Sequence, residues 1–210
     1  MINIQEMRLD LLQMALAAKS QGAHLGGSLS LVEIMAALYG GVIKFDSKNP
    51  AAENRDRVIL SKGHGVMAQY AALKQIGLLT EEELLTYKAD ETKAPAHPSL
   101  NLQAGIEFSS GSLGQGLSLG VGTALALKRK NNTSSRVYVI LGDGECDEGS
   151  VWEAAMAAAH YRLDNLVAII DRNCLQYGGD TEAVLPLENF AAKWLSFGWN
   201  VAKCDGHSFK

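Results

Sequence analysis

Two apolar runs separated by a helical pattern constrain this chain more than any other feature. RVYVIL occupies 136–141, NLVAIID occupies 165–171, and SVWEAAMAAAHYRL between them repeats small and apolar residues at helical spacing. Neither run alternates apolar with polar side chains, as a strand with one wet face would. Strands covered on both faces and joined through a helix belong to a parallel sheet, because parallel neighbours need a long crossover. The pattern predicts an α/β fold, a parallel sheet flanked by helices. A shorter run, Val58 to Leu60, and WNVAKC at 199–204 read as further strands, with ENFAAKWLSFG at 188–198 as the helix before the last.

The remaining segments fill in around that sheet. Met7, Leu11, Met14, Leu16 and Ala18 lie at helical spacing in a first helix over about 4–19, which ends in the loop QGAHLGGS. Ser30 and Glu33 have the spacing of a capping box that opens a second helix to about Tyr39, and Thr80 with Glu83 has it again. A helix toward Ile76 follows His64, and 88–107 is loop-like, with Pro95, His97 and Pro98. A glycine-rich turn from Gly111 runs into a small-residue helix that ends near Lys128-Arg129-Lys130, where positive charge suits a helix C-terminus. With no repeat and no low-complexity linker, 1–210 is expected to form a single domain.

Composition narrows the function. The chain carries a net charge of −4 and has no basic stripe, which argues against nucleic acid as a partner. Its three cysteines include no CxxC, so neither a disulfide framework nor a zinc site is expected. The first residues lack a signal-peptide pattern and no run of about 18 apolar residues occurs. A cytoplasmic protein without a membrane segment is the expectation.

Chemistry concentrates at VILGDGECDEGS, where an apolar strand ends in Gly142-Asp143-Gly144 and four acidic residues fall within six positions. Like charges so close call for a cation. In open parallel sheets, ligands bind beyond the carboxyl ends of the strands. One strand–helix–strand unit would bring Asp143 and Asn173 to the same edge. An anionic and a neutral oxygen suit magnesium, which completes its shell with water and phosphate oxygens. An EF-hand is excluded, since Glu148 stands where that loop needs glycine and Ala154 where it needs glutamate. A plain strand-to-helix turn with a solvated acidic rim fits the residues as well. Gly111-Ser112-Leu113-Gly114 opens a helix and offers a second anion site, though it is neither a Walker A loop nor a strict GxGxxG. His24, His64 and His97 each lie in a glycine- or proline-flanked loop and are expected to share a pocket. His160 reads as structural within a helix, and His207 has no assigned role.

Together these segments resemble the amino-terminal, thiamine-diphosphate-binding part of transketolase, over nearly the whole chain. The most specific segment begins GDG and ends in Asn173, with EG, WEA and DRN inside it. SKGHG, HPS and GIEFSSGSLGQGLS follow the family's order. The resemblance implies the diphosphate-binding type of thiamine-diphosphate fold, with thiamine diphosphate and Mg2+ as cofactors. It implies that Asp143, Asn173 and the Leu175 carbonyl hold magnesium. Gly144, His64 and the Gly111, Ser112, Leu113 and Gly114 stretch would contact the cofactor. His24 and His97 would bond oxygens of a two-carbon unit, with His64 as a further catalytic group, and Glu148 would sit near the pocket and link it to a dimer mate's. The activity implied is transfer of a two-carbon ketol unit from a ketose phosphate to an aldose phosphate.

The family activates its cofactor with a glutamate from a pyrimidine-binding domain, which 210 residues do not include. The chain is therefore expected to be the N-terminal subunit of a split transketolase, without the domain's C-terminal portion and inactive alone. It would join a C-terminal subunit in a dimer of two-chain pairs, with the apolar faces of the helices at 114–127 and 151–160 either forming that contact or packing on the sheet. Two alternatives stand beside this. One is a non-catalytic relative that only binds partners. The other is a component of a 2-oxo-acid dehydrogenase or deoxyxylulose phosphate synthase.

Overall fold

The computed structural model describes residues 2–208, which gather into two compact units. The first comprises 2–56, 63–111 and 206–208; the second comprises 57–62 and 112–205.

The first unit is helical. Helix α1 (Ile4–Ala17) starts where the Asn3 side chain accepts hydrogen bonds from the Gln5 and Glu6 N–H groups at 3.1 and 3.2 Å. Its Met7, Leu11 and Met14 are fully buried and Ala18 follows them on one face of a 3.6-residue repeat, whereas Leu16, read with them, falls two positions past Met14 on the opposite side and is exposed. Helices α2 (Leu25–Leu29) and α3 (Val32–Ala37) are followed by a π-turn, Leu38–Val42. The capping box expected at Ser30 does not form. Ser30 Oγ donates to the Gly27 carbonyl, and Glu33 is drawn instead to Arg8 and His207, because a charged partner outcompetes a backbone amide. Leu25–Val42 is apolar and long enough to cross a membrane by length and composition, but it is broken into these short pieces, and Leu31, Val32, Met35 and Ala36 lie in the core. Helix α4 (Val66–Gln75) is buried from Val66 to Leu73 and packs on α1, where Lys74 reaches Asp10 at 2.8 Å and Glu6 at 3.1 Å. The second predicted capping box is present at α5 (Glu81–Leu84), with Thr80 and Glu83 exchanging bonds of 2.9 and 3.2 Å.

The second unit holds the predicted parallel sheet. Strands β1 (Arg57–Leu60), β2 (Val137–Gly142) and β3 (Leu166–Asp171) lie in the order β1-β2-β3, with β2 central and buried throughout. Helix α6 (Gly116–Arg129) lies on β2, and Gly120 is what lets it do so: a Cβ there would collide with Val139. The crossover from β2 to β3 contains α7 (Gly149–His160), which packs on α6, so the apolar faces considered for a subunit contact are largely used internally. A short hairpin, β4 (Leu175–Gln176) and β5 (Gly179–Asp180), leads into α8 (Thr181–Val184). Helix α9 (Phe190–Ser196) brings Trp194 and, just after it, Phe197 to within 5.2–5.3 Å of the Trp152 ring.

The strand expected at 199–204 is absent from the sheet. Trp199 turns inward, donates to the Ala155 carbonyl at 3.0 Å and meets Trp194 at 5.1 Å, and the segment beyond it is irregular and exposed. One anchored indole replaces a ladder there. His160 also departs from its reading: it is the exposed last residue of α7, edge-on to Tyr161.

Candidate functional site

The register of β2 and β3 places Gly142 opposite Asp171, and Asp143 N–H donates to the Asp171 carbonyl at 3.2 Å. Both strands therefore deliver their following loops to one edge. Asp143 is only 1% exposed, yet its carboxylate is well supplied with donors. Oδ1 accepts from Gly144 N–H at 3.0 Å; Oδ2 accepts from Cys174 N–H at 2.9 Å and from the Thr181 hydroxyl at 3.1 Å. Cys174 takes a left-handed φ of 64°, which folds the β3 exit loop back onto the turn. In that loop the Asn173 Oδ1 accepts from Leu175 N–H at 3.0 Å. The three predicted metal ligands thus lie at one strand edge, with Asp143 stitched to the loop that carries Asn173 and Leu175.

The donor set fits magnesium. It offers a carboxylate, an amide oxygen and a main-chain carbonyl, all hard oxygens, and Oδ1 carries one donor where a carboxylate oxygen has room for two. Among the described residues no three His, Cys, Asp or Glu side chains converge on a metal-sized site.

The crowd of acids resolves into separate tasks. Glu145 is buried, and its carboxylate accepts from the Ser61 hydroxyl, from Gly114 N–H at 2.8 Å and from Gly142 N–H at 3.0 Å. Burial pushes its pKa up, opposed by those donors and by the charge of Lys62. Lys62 is itself buried and paired with Asp171 at 2.6 Å. Asp147 accepts from the Gln176 amide at 3.2 Å. Gly144 permits this closeness, since a Cβ there would lie 2.6 Å from that of Gln176. Glu148 is exposed at the N-terminus of α7. It abuts buried Gly114, whose φ of 84° and lack of Cβ both matter: a Cβ would stand 2.7 Å from Glu148 and from Ser150. Ser112 and Leu113 precede it with exposed side chains.

In the first unit the three predicted histidines do cluster. The His24 ring lies 5.6 Å from His64 and 6.3 Å from His97. Gly111 sits under His97, where a Cβ would be 3.1 Å from the ring, and Gly63 presses on the Gly111 backbone. Burial lowers the His97 pKa, and the nearby charges of His24 and Lys88 add to the effect, so the imidazole is neutral at pH 7. Lys88 straps the His24 loop from outside, donating to the Gln21 and Gly22 carbonyls at 3.2 and 2.8 Å. His207 lies 3.4 Å from Glu33, on the carboxylate that also pairs with Arg8. Burial works against that carboxylate, but Arg8 outweighs it and holds the pKa of Glu33 below its usual value.

Sequence reasoning missed Ser61, Glu145, Arg172 and Thr181. Ser61 lies in the SKGHG segment and Glu145 in the acidic turn, so both were in view as types; their burial and pairing were not. Thr181 carries no local signal.

The α/β sheet edge thus joins a buried aspartate and a loop of hard oxygens, which suit a cation, to a glycine turn, which suits an anion. The family model for the transketolase thiamine diphosphate-binding domain matches residues 3–210, and the chain belongs to that family. It is 47% identical to a 6-deoxy-6-sulfo-D-fructose transketolase subunit of Clostridium sp. (strain MSTE9), over 88% of this chain and 67% of that one. It is 43% identical to an apulose-4-phosphate transketolase subunit of Phocaeicola vulgatus, over 90% of this chain and 66% of that one. The crystal structure of Campylobacter jejuni transketolase superposes with a TM-score of 0.87 at 30% identity, covering 99% of this chain and 34% of that one. The chain thus spans about two thirds of the length of these subunits and about a third of that transketolase.

Proposed function

We propose that this chain is the N-terminal, diphosphate-binding subunit of a two-component transketolase. With a second chain that carries the pyrimidine-binding domain, it would move a two-carbon ketol unit from a ketose phosphate to an aldose phosphate. The donor is shortened by two carbons to an aldose and the acceptor is lengthened by two to a ketose. The observation that carries the reading is the Asp143 turn, buried and bonded to the Asn173 loop, in a chain whose family binds thiamine diphosphate.

Asp143, Asn173 and the Leu175 carbonyl would hold Mg2+, and Gly144 leaves room for a phosphate oxygen. Bound thiamine diphosphate supplies the nucleophilic carbon and the electron sink for two-carbon transfer. His97, neutral at pH 7, can accept a proton from a substrate hydroxyl or donate a hydrogen bond to a developing oxyanion. His24 and His64 add donors beside it, and the Gly111–Gly114 backbone and Glu148 would contact the cofactor. The proposed site of action is the cytoplasm, where a chain of three cysteines without a CxxC pattern needs no disulfide framework.

The test is two-carbon transfer between a ketose phosphate and an aldose phosphate, with this chain, the pyrimidine-domain subunit, Mg2+ and thiamine diphosphate. Activity is expected to need both chains and to fall at least a hundredfold in Asp143→Ala, as loss of a metal ligand should. Transfer that persists in Asp143→Ala would refute the metal assignment. A stable two-chain complex inert toward every sugar pair would refute the activity.

A further inference from the structure

We propose that Arg172 is a built-in counter-cation that sets the metal affinity of the site, and that Glu182 tunes it. The inference rests on the reading of Asp143 as the metal-binding carboxylate. The Arg172 Nη1 lies 3.7 Å from Asp143 Oδ2, while Nη2 binds Glu182 at 2.7 Å. Its guanidinium also lies over the Phe190 ring, 5.7 Å from the centroid. Glu182 is fixed in turn by the Glu188 N–H at 3.1 Å. Arg172 is therefore held in place beside the carboxylate rather than swept past it by a free side chain.

This placement has an electrostatic consequence. Asp143 is buried, and a buried carboxylate needs a compensating charge or a set of donors. Arg172 supplies part of that charge when no metal is bound. It then opposes an incoming dication, since two like charges near one carboxylate repel. Glu182 pulls the other way: it claims the second nitrogen and offsets part of the charge Arg172 presents to Asp143. The two belong to different elements. Arg172 leaves β3 one residue before Asn173, and Glu182 follows Thr181, whose hydroxyl bonds the same Asp143 oxygen. Arg172 and Glu182 are positioning residues, with no proton to give or take.

Opposite signs make the test sharp. Mn2+ binding to this chain in complex with the pyrimidine-domain subunit, at saturating thiamine diphosphate, is followed by electron paramagnetic resonance of the free ion. Arg172→Gln is expected to tighten Mn2+ by roughly threefold or more, and Glu182→Gln to loosen it by a similar factor, on the scale of partly exposed charge pairs. Raising the salt concentration should shrink both effects. If Arg172 merely braces the loop, both variants would weaken Mn2+ together, and the proposal falls; unchanged affinity in Arg172→Gln also overturns it. Asp143→Ala separates the two readings. If the wild-type chain binds Mn2+ no better than Asp143→Ala, the metal assignment fails and this inference fails with it. If wild type binds and Asp143→Ala does not, only the Arg172 and Glu182 results decide.

Discussion

His97 shows how one residue's surroundings set its chemistry. Burial disfavours its charged form, and the positive charge of Lys88 and any charge on His24 push the same way. The folded-state pKa therefore lies below the ordinary imidazole value of about 6.5. A base with a depressed pKa contributes stability above its unfolded value and loses it as pH falls through the folded one. Proton NMR should show His97 titrating below the free-imidazole range, and Lys88→Gln should move it upward. A wild-type His97 that titrates at or above the free value would contradict this. The clustering was legible from three histidines in small-residue loops. The direction of the shift was not, because Lys88 comes from a distant turn and its left-handed φ of 64° aims it.

At the scale of elements, Glu145 does what a strand ladder cannot. It joins the end of β1 through Ser61, the end of β2 through Gly142 and the start of the α6 turn through Gly114. Glu145→Ala would leave a buried hydroxyl and two buried N–H groups without this acceptor. Each such loss costs roughly 1–3 kcal/mol, so a total near 3 kcal/mol is expected after relaxation. Urea unfolding measures it, and a change under 1 kcal/mol would show that water replaces the carboxylate. Sequence pattern could not assign this role, since an acid among acids reads as a solvated rim and only tertiary burial distinguishes Glu145 from exposed Glu148. The β2–α7–β3 unit was legible because two apolar runs joined through a helical pattern fit a parallel crossover, but only β2 is buried throughout; β3, expected to be covered on both faces, is half-exposed from Val167 to Ile170. WNVAKC has the apolar spacing of a strand, but spacing does not say that Trp199 will spend itself on Ala155 and Trp194 instead of on a neighbouring strand. The Asp143–Asn173 separation was legible for a plainer reason: one helix and one strand fix how far apart two loops at the same sheet edge fall in sequence.

At the scale of the whole molecule, the proposed function makes catalysis a property of an assembly. The chain supplies an acidic turn proposed to hold a cation, a glycine turn and a histidine cluster. It matches about a third of the length of one-chain transketolases and about two thirds of proteins named as transketolase subunits. On the proposed function, catalysis should depend on a second chain in fixed proportion. Titrating the pyrimidine-domain subunit into this chain is expected to raise transfer activity from background to a plateau at one partner per chain. Light scattering at the plateau should give a mass of two copies of each, since closed two-fold assemblies are the common solution for oligomers. Because each site would draw groups from two chains, dilution should lower activity in step with dissociation, and excess partner should restore it. Full turnover by the isolated chain would place the activating group within these 210 residues. A plateau at one copy of each would retain the split enzyme but remove the paired sites, and with them the role assigned to Glu148 as a link between them.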